Sequence, residues 1–342
     1  MDKRVIFAVA GSGKTTYLIN SLNLDKRFLI VTYTTVNFNN IREKIIAKFS
    51  YFPNNIKLYT YFTFLYSFCY RPFLAYKLGT KGLLYSHPPT FPASPSKENY
   101  YISNHRLYSN RLAKFIETKG VLGDLNERLE KYFDCFYIDE IQDFAGHDFN
   151  LLKSISQANI SILFVGDYFQ HTYDTSRDGQ INKNLHANYI SYQDHFSKMG
   201  LVVDLTTLSK SYRCSPTVCR FISERLGIEI GSHRNDISTI SFIDTDDHLY
   251  DLHSNNSIVK LFYQEHYKYN CFSRNWGDSK GEDKFGTILV VLNKGGLIAY
   301  HSNTLNKLNP QTRNKLYVAC SRARNDIFFA ADSSLKRYKQ ST

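Results

Sequence analysis

The sequence contains no apolar run approaching the roughly 18–20 residues that a membrane-spanning helix requires. Its six cysteines include no CxxC pair and no zinc-type spacing with histidine, which favours reduced thiols over a zinc module. The first residues turn into a glycine-rich motif too early for a secretory signal peptide. No solenoid repeat and no carboxylate–lysine cluster of nuclease type stands out. These absences predict a cytoplasmic protein without a membrane partner.

The chain does contain enough apolar and aromatic material for a sizeable core. Hydrophobic residues make up 43% and aromatic residues 15% of its 342 residues, so extensive disorder is not expected. A chain of this length predicts two domains of ordinary size. We expect the first over residues 1–200, with a small inserted subdomain at about 74–130, and the second over residues 201–342.

Positive and negative charges are distributed unevenly. The formal net charge is +11, and a basic globular chain favours a polyanionic partner such as nucleic acid, although many basic proteins bind none. Residues 131–180 hold eight acidic and three basic side chains, whereas residues 305–342 hold eight basic and two acidic ones. An acidic centre with basic flanks suits a metal–nucleotide site bordered by phosphate-binding surfaces.

Short apolar runs alternate with helical patterns, which is typical of an α/β fold with mainly parallel sheets. The first strands are predicted at Val5–Val9, Phe28–Thr32, Ile56–Thr60, Asp134–Ile138 and Ile160–Val165. A second set is predicted at Val202–Leu205, Ile237–Ile243, Phe285–Val291 and Asp326–Ala330. Helices are predicted at Val36–Phe49, Pro216–Leu226 and Pro310–Arg324, because proline is tolerated in a helix's first turn.

A proline-rich segment beginning at Ser86 interrupts this alternation and predicts a surface insertion in the first domain. Residues 74–120 carry seven basic and two acidic side chains, interleaved with tyrosines. That mixture suits contact with nucleic-acid phosphates and bases, while the alternative is a solvated basic loop. The candidate phosphate contacts are Lys97, Arg106, Arg111 and Lys114.

The apolar segment that ends at Val9 runs directly into the glycine-rich sequence AGSGKTT. Such a loop turns backbone N–H groups toward phosphates, and the start of the following helix adds its positive dipole end. Lys14 would reach the terminal phosphates, and the Thr15 hydroxyl would ligate Mg²⁺. A glycine-rich turn can arise by chance, but here both the strand and the helix context fit. We therefore predict nucleotide contacts from Ala10, Gly11, Ser12, Gly13, Lys14, Thr15 and Thr16.

A second apolar run ends at Ile138, within the segment YIDEIQDF, and an acidic cluster follows it directly. An aspartate at the carboxyl end of a strand can hold Mg²⁺, which makes Asp139 the partner of Thr15. The adjacent Glu140 can accept a proton from an attacking water. Such residues can also decorate a solvated turn. Because this cluster ends a buried-looking strand and follows a phosphate loop, it predicts hydrolysis of a nucleoside triphosphate.

The sequence DEIQD resembles the DExQD box of the UvrD/Rep family of superfamily-one DNA helicases, whose usual phosphate loop is AGSGKT. Further segments are similar to the family's motifs in the family's order, over residues 4–331 with gaps at 74–130 and 227–268. They are VTYTTVNFNNIREKI, LYTYFTFLYSF, LFVGDYFQHTY, LSKSYRCSP, NWGDSKGE and LYVACSRAR. The resemblance implies two RecA-like P-loop NTPase domains that use ATP and Mg²⁺ and act on DNA.

The resemblance also assigns roles around the nucleotide. Gln170 would sense the γ-phosphate, and Arg213 and Arg322 would reach it from the second domain. Guanidinium groups suit this role because they stay charged and grip phosphate oxygens bidentately, although either arginine taken singly could be a surface ion-pair residue. Gln142 would couple the nucleotide state to the domain interface. Tyr212 would stack on the base, and the fifth motif would add contacts from Gly281 and Glu282.

For DNA, the resemblance points to Tyr33, Thr60, Tyr61 and Tyr173. Stacking on aromatic rings tolerates any sequence and contributes about 1–3 kcal/mol per base, which suits a motor that moves over arbitrary DNA. The chain has 26 tyrosines, however, so packing is an equally ready explanation for any one of them.

The sequence also departs from the family's pattern. Ala8 stands where the strict phosphate-loop pattern has its first glycine, and no glutamine-containing segment precedes the loop. Thr175 occupies the place of a usual base-stacking aromatic residue. The interval between Cys219 and Asn275 is too short for the accessory domain of larger helicases. These departures predict a compact motor with little attached to it.

Two functions follow. The first is an ATP-dependent DNA translocase or helicase that moves on single-stranded DNA, 3′ to 5′ as the resemblance implies. The alternative is a DNA-sensing ATPase subunit that regulates a partner nuclease without unwinding by itself. Single-stranded or partly duplex DNA is the expected partner in both, with a nuclease or other protein partner in the second. A small-molecule kinase, which a phosphate loop alone would allow, is disfavoured by the two arginine motifs.

Overall fold

The computed structural model describes residues 1–86, 88, 100–172, 175 and 180–340. The chain forms two compact units, each assembled from separate stretches of sequence. The first unit contains Met1–Ile6, Thr15–Gly166 and Tyr173–Asp204, and the second contains Phe7–Lys14, Asp167–Thr172 and Leu205–Thr342. The glycine-rich segment therefore groups with the second unit.

Strands and helices alternate along much of the chain. The strands are β1 Lys3–Phe7, β2 Phe28–Thr32, β3 Ile56–Thr60, β4 Gly82–Leu84, β5 Ile102–Ser103, β6 Arg106–Tyr108, β7 Cys135–Asp139, β8 Ser161–Gly166, β9 Val202–Asp204, β10 Lys210–Ser211, β11 Gly231–Ser232, β12 Ile240–Phe242, β13 Val259–Phe262, β14 Ser273–Asn275, β15 Ile288–Leu292 and β16 Ile327–Ala331. The helices are α1 Lys14–Asn20, α2 Thr35–Phe49, α3 Tyr61–Thr63, α4 Tyr76–Leu78, α5 Leu112–Thr118, α6 Leu122–Tyr132, α7 Gly146–Ile155, α8 Tyr189–Lys198, α9 Pro216–Phe221, α10 Asp246–Ser254, α11 Lys294–His301, α12 Pro310–Cys320 and α13 Asp332–Leu335. Within the described ranges, no helix is both long enough and apolar enough to cross a bilayer.

The first unit is organised around a six-stranded sheet with the order β3-β2-β7-β8-β1-β9. The pairs β2–β3, β2–β7, β7–β8 and β1–β9 are all parallel. Strands β2 and β7 are buried along their whole length, as expected where both faces of a parallel sheet are covered. Parallel pairing brings the carboxyl ends of β2, β3, β7 and β8 to one edge of the sheet.

The second unit contains a five-stranded sheet with the order β12-β16-β15-β13-β14, in which every neighbouring pair is parallel. Its core includes the fully buried Trp276, whose indole N–H donates to the Leu261 carbonyl oxygen at 2.9 Å. That hydrogen bond satisfies the one polar atom of a side chain that otherwise adds only apolar surface.

Local sequence explains where two helices of the second unit begin. Ser215 accepts a hydrogen bond from the Val218 N–H through its hydroxyl, and Pro216 follows at the first helical position of α9. Asn309 likewise accepts from the Gln311 N–H before Pro310 opens α12. Capping side chains satisfy N–H groups that lack a helical partner, and proline has no N–H to satisfy there.

The predicted α/β fold with mainly parallel sheets is confirmed, and the architecture is consistent with two RecA-like domains. The strands predicted at Phe28–Thr32 and Ile56–Thr60 have the predicted bounds, while the other predicted strands are shifted or shortened by a few residues. The helix predicted over 216–226 turns π-helical from Ile222 to Leu226. Strands β13 and β14 were not predicted, because buried Lys260 interrupts the first apolar run and the second is the polar tripeptide SRN.

Helical structure continues from Tyr61 to Leu78, where the sequence predicted only a motif. Between α3 and α4 the backbone is π-helical over Phe64–Ala75 and contains Pro72. Proline lacks the N–H that a regular α-helical turn uses, and helix irregularities are common at such positions. The stretch ends at Gly79, whose φ of 58° lies in the left-handed region that glycine adopts without strain.

A small three-stranded sheet, with the order β4-β6-β5, occupies the region of the predicted insertion. Next to it, Arg111 is buried, with its guanidinium carbon 3.7 Å from the centroid of the Tyr100 ring. Its Nη1 donates to the Tyr100 carbonyl oxygen at 2.7 Å, and Lys114 Nζ donates to the Tyr100 hydroxyl at 3.1 Å. Because the Arg111 guanidinium packs on Tyr100, the structure favours a packing role for this residue over the predicted contact with DNA phosphates. Lys97 and most of the proline-rich segment lie outside the described residues.

Replacing Arg111 by alanine should lower the thermal midpoint, because the change removes a desolvated cation–π contact and a hydrogen bond from a charged donor. Together these contribute about 2 kcal/mol or more. For a protein of this size the midpoint should fall by about 3 °C or more, as measured by differential scanning calorimetry. Arg106→Ala, at an exposed position on β6, is the matched control and should leave the midpoint unchanged. Equal midpoints for the two variants would contradict the structural role of Arg111.

Candidate active site

The loop that follows β1 has a backbone that requires glycine. Gly11 and Gly13 have φ angles of 70° and 83°, in the left-handed region. A Cβ atom built on Gly11 would lie 2.6 Å from Ser211 Oγ and 2.7 Å from Arg213 Cβ, so a side chain there is excluded by overlap as well. The Tyr212 N–H donates to the Gly11 carbonyl oxygen at 2.9 Å. The glycine-rich loop is thus joined backbone to backbone with the segment 211–213.

The Val9 carbonyl oxygen is the main hydrogen-bond acceptor inside this loop. It accepts from the Ser12 hydroxyl at 2.8 Å, from the Ser12 N–H at 3.3 Å and from Lys14 Nζ at 3.3 Å. The Lys14 side chain is buried, although its ammonium group carries three donors and this contact uses only one. The loop therefore holds the lysine against its own backbone, close to the turn that the two glycines form.

Two residues predicted to share a metal ion are in direct contact within the first unit. The Thr15 hydroxyl donates to Asp139 Oδ2 at 3.0 Å, although the two residues are 124 positions apart. Asp139 is buried at the carboxyl end of β7, and its Oδ1 accepts the Glu140 N–H at 3.1 Å. Nearby, Lys44 Nζ donates to the Thr16 hydroxyl at 3.3 Å.

A hydroxyl and a carboxylate are oxygen donors of the kind that Mg²⁺ prefers, so this pair fits the predicted ion. The structure describes no group of three or more His, Cys, Asp or Glu residues arranged to hold a metal, in the ranges that it covers. Proteins commonly supply only one or two ligands to Mg²⁺. Water molecules and substrate phosphates complete its six ligands.

Glu140, the predicted general base, has an unusual backbone. Its φ of 62° places a non-glycine residue in the left-handed region, a conformation that concentrates at functional sites. Gln142 Nε2 donates a short hydrogen bond to Glu140 Oε2, and the Gln142 side chain is fully buried. The carboxylate of Glu140 is therefore oriented by a buried amide.

Glycine at position 166 makes this arrangement possible. A Cβ atom at the end of β8 would lie 2.3 Å from Gln142 Oε1 and 2.7 Å from Ile141 Cγ2. Any side chain at this position would therefore displace the amide that orients Glu140. The sequence motif around Gly166 predicts a role for Gln170, but it gives no sign that Gly166 must lack a side chain.

A chain of buried hydrogen bonds connects the glycine-rich loop with Gln170 inside the second unit. The Ala10 N–H donates to the Tyr317 hydroxyl at 2.8 Å, and that hydroxyl donates to Asp167 Oδ2 at 2.9 Å. Gln170 Nε2 donates to the same Asp167 oxygen at 3.0 Å. Burial, and next the nearby Asp167 carboxylate, raise the pKa of Tyr317 well above its ordinary value. Sequence analysis missed Asp167 and Tyr317, although both lie in segments that carry the family resemblance.

The two predicted arginines lie together in the second unit. Arg213 Nη1 donates to the Ser321 carbonyl oxygen at 3.0 Å, and Arg322 Nη1 donates to the Glu282 carbonyl oxygen at 3.2 Å. The Oδ1 atom of Asp283 contacts both guanidinium groups, with a distance of 3.6 Å to Arg322 Nη1. Burial, and then the positive charge of Arg213, lower the pKa of Arg322 to about 10, so this guanidinium group stays protonated at neutral pH.

The remaining residues that are predicted to contact the nucleotide also belong to the second unit. Tyr212 is 64% exposed, and one face of its ring is covered by the His233 imidazole at a centroid distance of 4.1 Å and an interplanar angle of 14°. Gly281 has a φ of 86°, and the Glu282 carboxylate accepts from Arg274 Nε at 2.8 Å. Tyr212 is thus an exposed aromatic platform fixed to the glycine-rich loop through its own backbone.

The predicted DNA contacts of the first unit divide into buried and exposed groups. The ring of Tyr61 is buried, and its centroid lies 4.8 Å from that of Phe144 in an edge-to-face contact. A ring in this position has no face for a base, so stacking by Tyr61 is not supported. The neighbouring Asp148 carboxyl is also fully enclosed, and burial raises its pKa to about 7. Tyr173 lies outside the described residues.

The residue after Tyr61 belongs to a more accessible group of rings. Phe62 is half-buried, with its centroid 5.8 Å from that of Tyr33 and 5.7 Å from that of Tyr85. Tyr85 is 68% exposed, and the half-buried Thr60 shares a 2.8 Å hydrogen bond with the Thr63 hydroxyl nearby in sequence. We call Tyr33, Phe62 and Tyr85 the aromatic surface. The motif itself does not show that the ring of Tyr61 is buried while that of Phe62 is accessible.

No protein-family model and no curated protein matches this sequence. The chain is similar to three solved helicase structures: a structure of the PRRSV helicase, a complex of the arterivirus nonstructural protein 10 helicase with DNA, and a crystal structure of the same arterivirus helicase. Sequence identities are 14%, 13% and 14%, and TM-scores are 0.47, 0.48 and 0.47. The matches cover 99%, 97% and 99% of this chain, but only 55%, 62% and 62% of the others. The UvrD/Rep resemblance stays a prediction.

Replacing Tyr317 by phenylalanine should destabilise the protein by about 1–3 kcal/mol, the typical penalty for leaving buried polar groups without a partner. The change removes only the hydroxyl that joins the Ala10 N–H to Asp167. Urea denaturation measures the effect as a lower midpoint. Tyr250→Phe, at a site that is 58% exposed, makes the same chemical change and should cost nothing measurable. Equal midpoints for these two variants would show that the hydroxyl bridge does not stabilise the fold.

Proposed function

We propose that this protein is an ATP-dependent DNA translocase or helicase that couples ATP hydrolysis to movement on single-stranded DNA. The observation that carries the proposal is the 3.0 Å hydrogen bond within the first unit between Thr15 and Asp139, at the end of β7, across 124 positions of sequence. That pairing is what a magnesium–triphosphate site needs from the protein. The 3′ to 5′ direction rests on the family resemblance alone.

In the proposed hydrolysis, Glu140 accepts a proton from a water molecule as the water oxygen attacks the γ-phosphorus and the bond to the β–γ bridging oxygen breaks. The hydrogen bond from Gln142 orients the carboxylate before the reaction. Lys14 donates to phosphate oxygens, and Thr15 and Asp139 are the groups that would hold Mg²⁺. When bound, the ion would neutralise part of the phosphate charge.

The second unit supplies positive charge and a place for the base. Arg213 and Arg322 would stabilise negative charge on the γ-phosphate through bidentate donors. The exposed ring of Tyr212 is suited to stacking on the nucleotide base, and its backbone bond to Gly11 fixes its distance from the phosphate loop. Stacking on one aromatic ring distinguishes the four bases only weakly.

A motor must link the state of the nucleotide to a change elsewhere in the protein. The hydrogen-bond chain from Ala10 through Tyr317 and Asp167 to Gln170 is a physical candidate, because every member is buried and the low dielectric strengthens each bond. We infer that Gln170 responds to the γ-phosphate through this chain as well as by any direct contact.

The aromatic surface of Tyr33, Phe62 and Tyr85 is the proposed contact with single-stranded DNA. The centroid of the central ring, Phe62, lies 5.8 Å from that of Tyr33 and 5.7 Å from that of Tyr85. Rings spaced in this way can stack successive bases of any identity. The contact would sit on the first unit, at the ends of β2 and β3.

The alternative is a DNA-sensing ATPase subunit that regulates a partner nuclease without unwinding DNA. One observation favours it: the stretch between Cys219 and Asn275 is used for β11, β12, α10, β13 and β14 of the second unit itself. It therefore adds no separate domain that could grip a duplex. An unwinding assay beside an ATPase assay distinguishes the two functions, since only the first predicts strand separation by the protein alone.

Glu140→Gln should keep nucleotide affinity and lose turnover by about 10²–10⁴-fold, because the amide preserves the shape but cannot accept the proton. Turnover is measured by phosphate release, with and without single-stranded DNA, which should accelerate the wild type. Glu127→Gln makes the same change at an exposed position of α6 and should leave turnover unchanged. Near-normal hydrolysis in Glu140→Gln would remove the assigned base. Equal wild-type rates with and without nucleic acid would argue against a motor.

Phe62→Ala should weaken binding to single-stranded DNA by about 5–150-fold, the equivalent of about 1–3 kcal/mol of stacking per base. Fluorescence anisotropy of a labelled oligothymidylate measures the affinity, and a matched oligouridylate compares DNA with RNA. Tyr61→Phe keeps the buried ring and is expected to leave affinity unchanged. The reverse order, with the larger loss at Tyr61, would remove the aromatic surface from the proposal.

A further inference from the structure

One carboxylate of the second unit lies between two guanidinium groups. The Oδ1 atom of Asp283 accepts from Arg213 Nη2 and lies 3.6 Å from Arg322 Nη1. Both arginines are almost completely buried, at 8% and 1% exposed, whereas the Asp283 side chain is 60% exposed. The resemblance to the helicase family assigns a role to Glu282 but none to Asp283.

Two buried positive charges side by side need a counterion. Removing a guanidinium from water is costly unless an anion and good hydrogen bonds compensate, and the neighbouring charge adds repulsion. Asp283 supplies that negative charge. Its share is limited by its exposure, since water screens the carboxylate from one side.

The carboxylate is not needed to hold the arginines in place. Arg213 is anchored by the Ser321 carbonyl oxygen, and Arg322 by the Glu282 carbonyl oxygen. The backbone of Asp283 is fixed separately, because Arg324 Nε donates to its carbonyl oxygen at 2.9 Å. The Asp283 side chain can therefore rotate toward solvent while the main chain and both guanidinium groups keep their positions.

The backbone and Cβ atom of Arg213 lie beside the glycine-rich loop. A Cβ atom at Gly11 would lie 2.7 Å from Arg213 Cβ, and the Tyr212 N–H bonds to the Gly11 carbonyl oxygen. The loop, both arginines and Asp283 belong to one compact unit, so an anion held by the loop would compete with the Asp283 carboxylate for the same positive charges.

We propose that Asp283 is a competing anion that lowers the affinity of the site for nucleoside triphosphates. This inference rests on the proposed function, in which Arg213 and Arg322 contact the γ-phosphate. A triphosphate must displace the carboxylate from both guanidinium groups, whereas a diphosphate lacks the group that would do so. Asp283 therefore opposes the binding of ATP more than the binding of ADP and narrows the difference between their affinities.

The test is the dissociation constant of Asp283→Asn for a non-hydrolysable ATP analogue and for ADP, measured by isothermal titration calorimetry with Mg²⁺. Asparagine keeps the shape and a neutral acceptor but removes the charge. Analogue affinity should rise about five- to tenfold, and ADP affinity should change by less than about twofold. Asp283→Ser, with a shorter uncharged side chain, should give the same pattern and guards against a folding defect in one variant.

Two controls isolate the charge at this position. Asp246→Asn removes an equivalent charge from an exposed ion pair with Arg337 in the same unit and should change neither constant. In an Arg322→Ala background, Asp283→Asn should produce a smaller gain, because one of the two contested donors is gone.

Weaker or unchanged analogue binding in both Asp283 variants would overturn the inference, since the carboxylate would then help the arginines or be irrelevant to them. An equal gain for ADP and the analogue would overturn it too, because the effect would not depend on the γ-phosphate. If the wild type binds neither nucleotide, the proposed function itself fails, an outcome distinct from a wild type that binds normally and is unaffected by Asp283.

Discussion

The close approach of the backbone at Gly11 to the segment Ser211–Arg213 is the constraint on which the candidate site depends. No side chain fits between them, since a Cβ atom at Gly11 would overlap both Ser211 Oγ and Arg213 Cβ. The absence of a side chain lets the Tyr212 N–H reach the Gly11 carbonyl oxygen. One glycine therefore determines how closely the loop approaches the backbone of Tyr212 and the Cβ atom of Arg213. Gly11 acts by permitting this close approach, because it has no side chain.

Polar groups that are buried around this loop are arranged so that almost every one has a partner. Asp167 illustrates the point, because its carboxylate accepts from Tyr317, Gln170 and the Phe169 N–H at once. Removing this carboxylate would leave several buried donors unpaired. Such a network has few alternative arrangements. It can therefore transmit a change at the loop to Gln170 more faithfully than apolar packing could.

The sequence predicted the fold class and many strand positions because parallel α/β structure has a strong local signature of short buried runs between helices. It also identified residues that the structure brings together, such as Thr15 with Asp139 and Arg213 with Arg322. It could not identify Tyr317 or Gly166, whose roles depend on contacts between distant segments. Nor could it separate the buried Tyr61 from the half-buried Phe62, because a motif records which residues occur but not which way each side chain points.

Burial of cations has a consequence for any site of this kind. Arg213 and Arg322 are suited to an anionic ligand because they are desolvated, yet the same desolvation makes them unfavourable when the ligand is absent. A fold can resolve this only by supplying an anion of its own or by letting water enter. The exposed carboxylate of Asp283 beside two buried guanidinium groups is the first solution. Because it is exposed, it can leave at little cost when a phosphate takes its place. The affinity of such a site is then a difference between two ion pairings, and an exposed aspartate can contribute to it as well as the arginines.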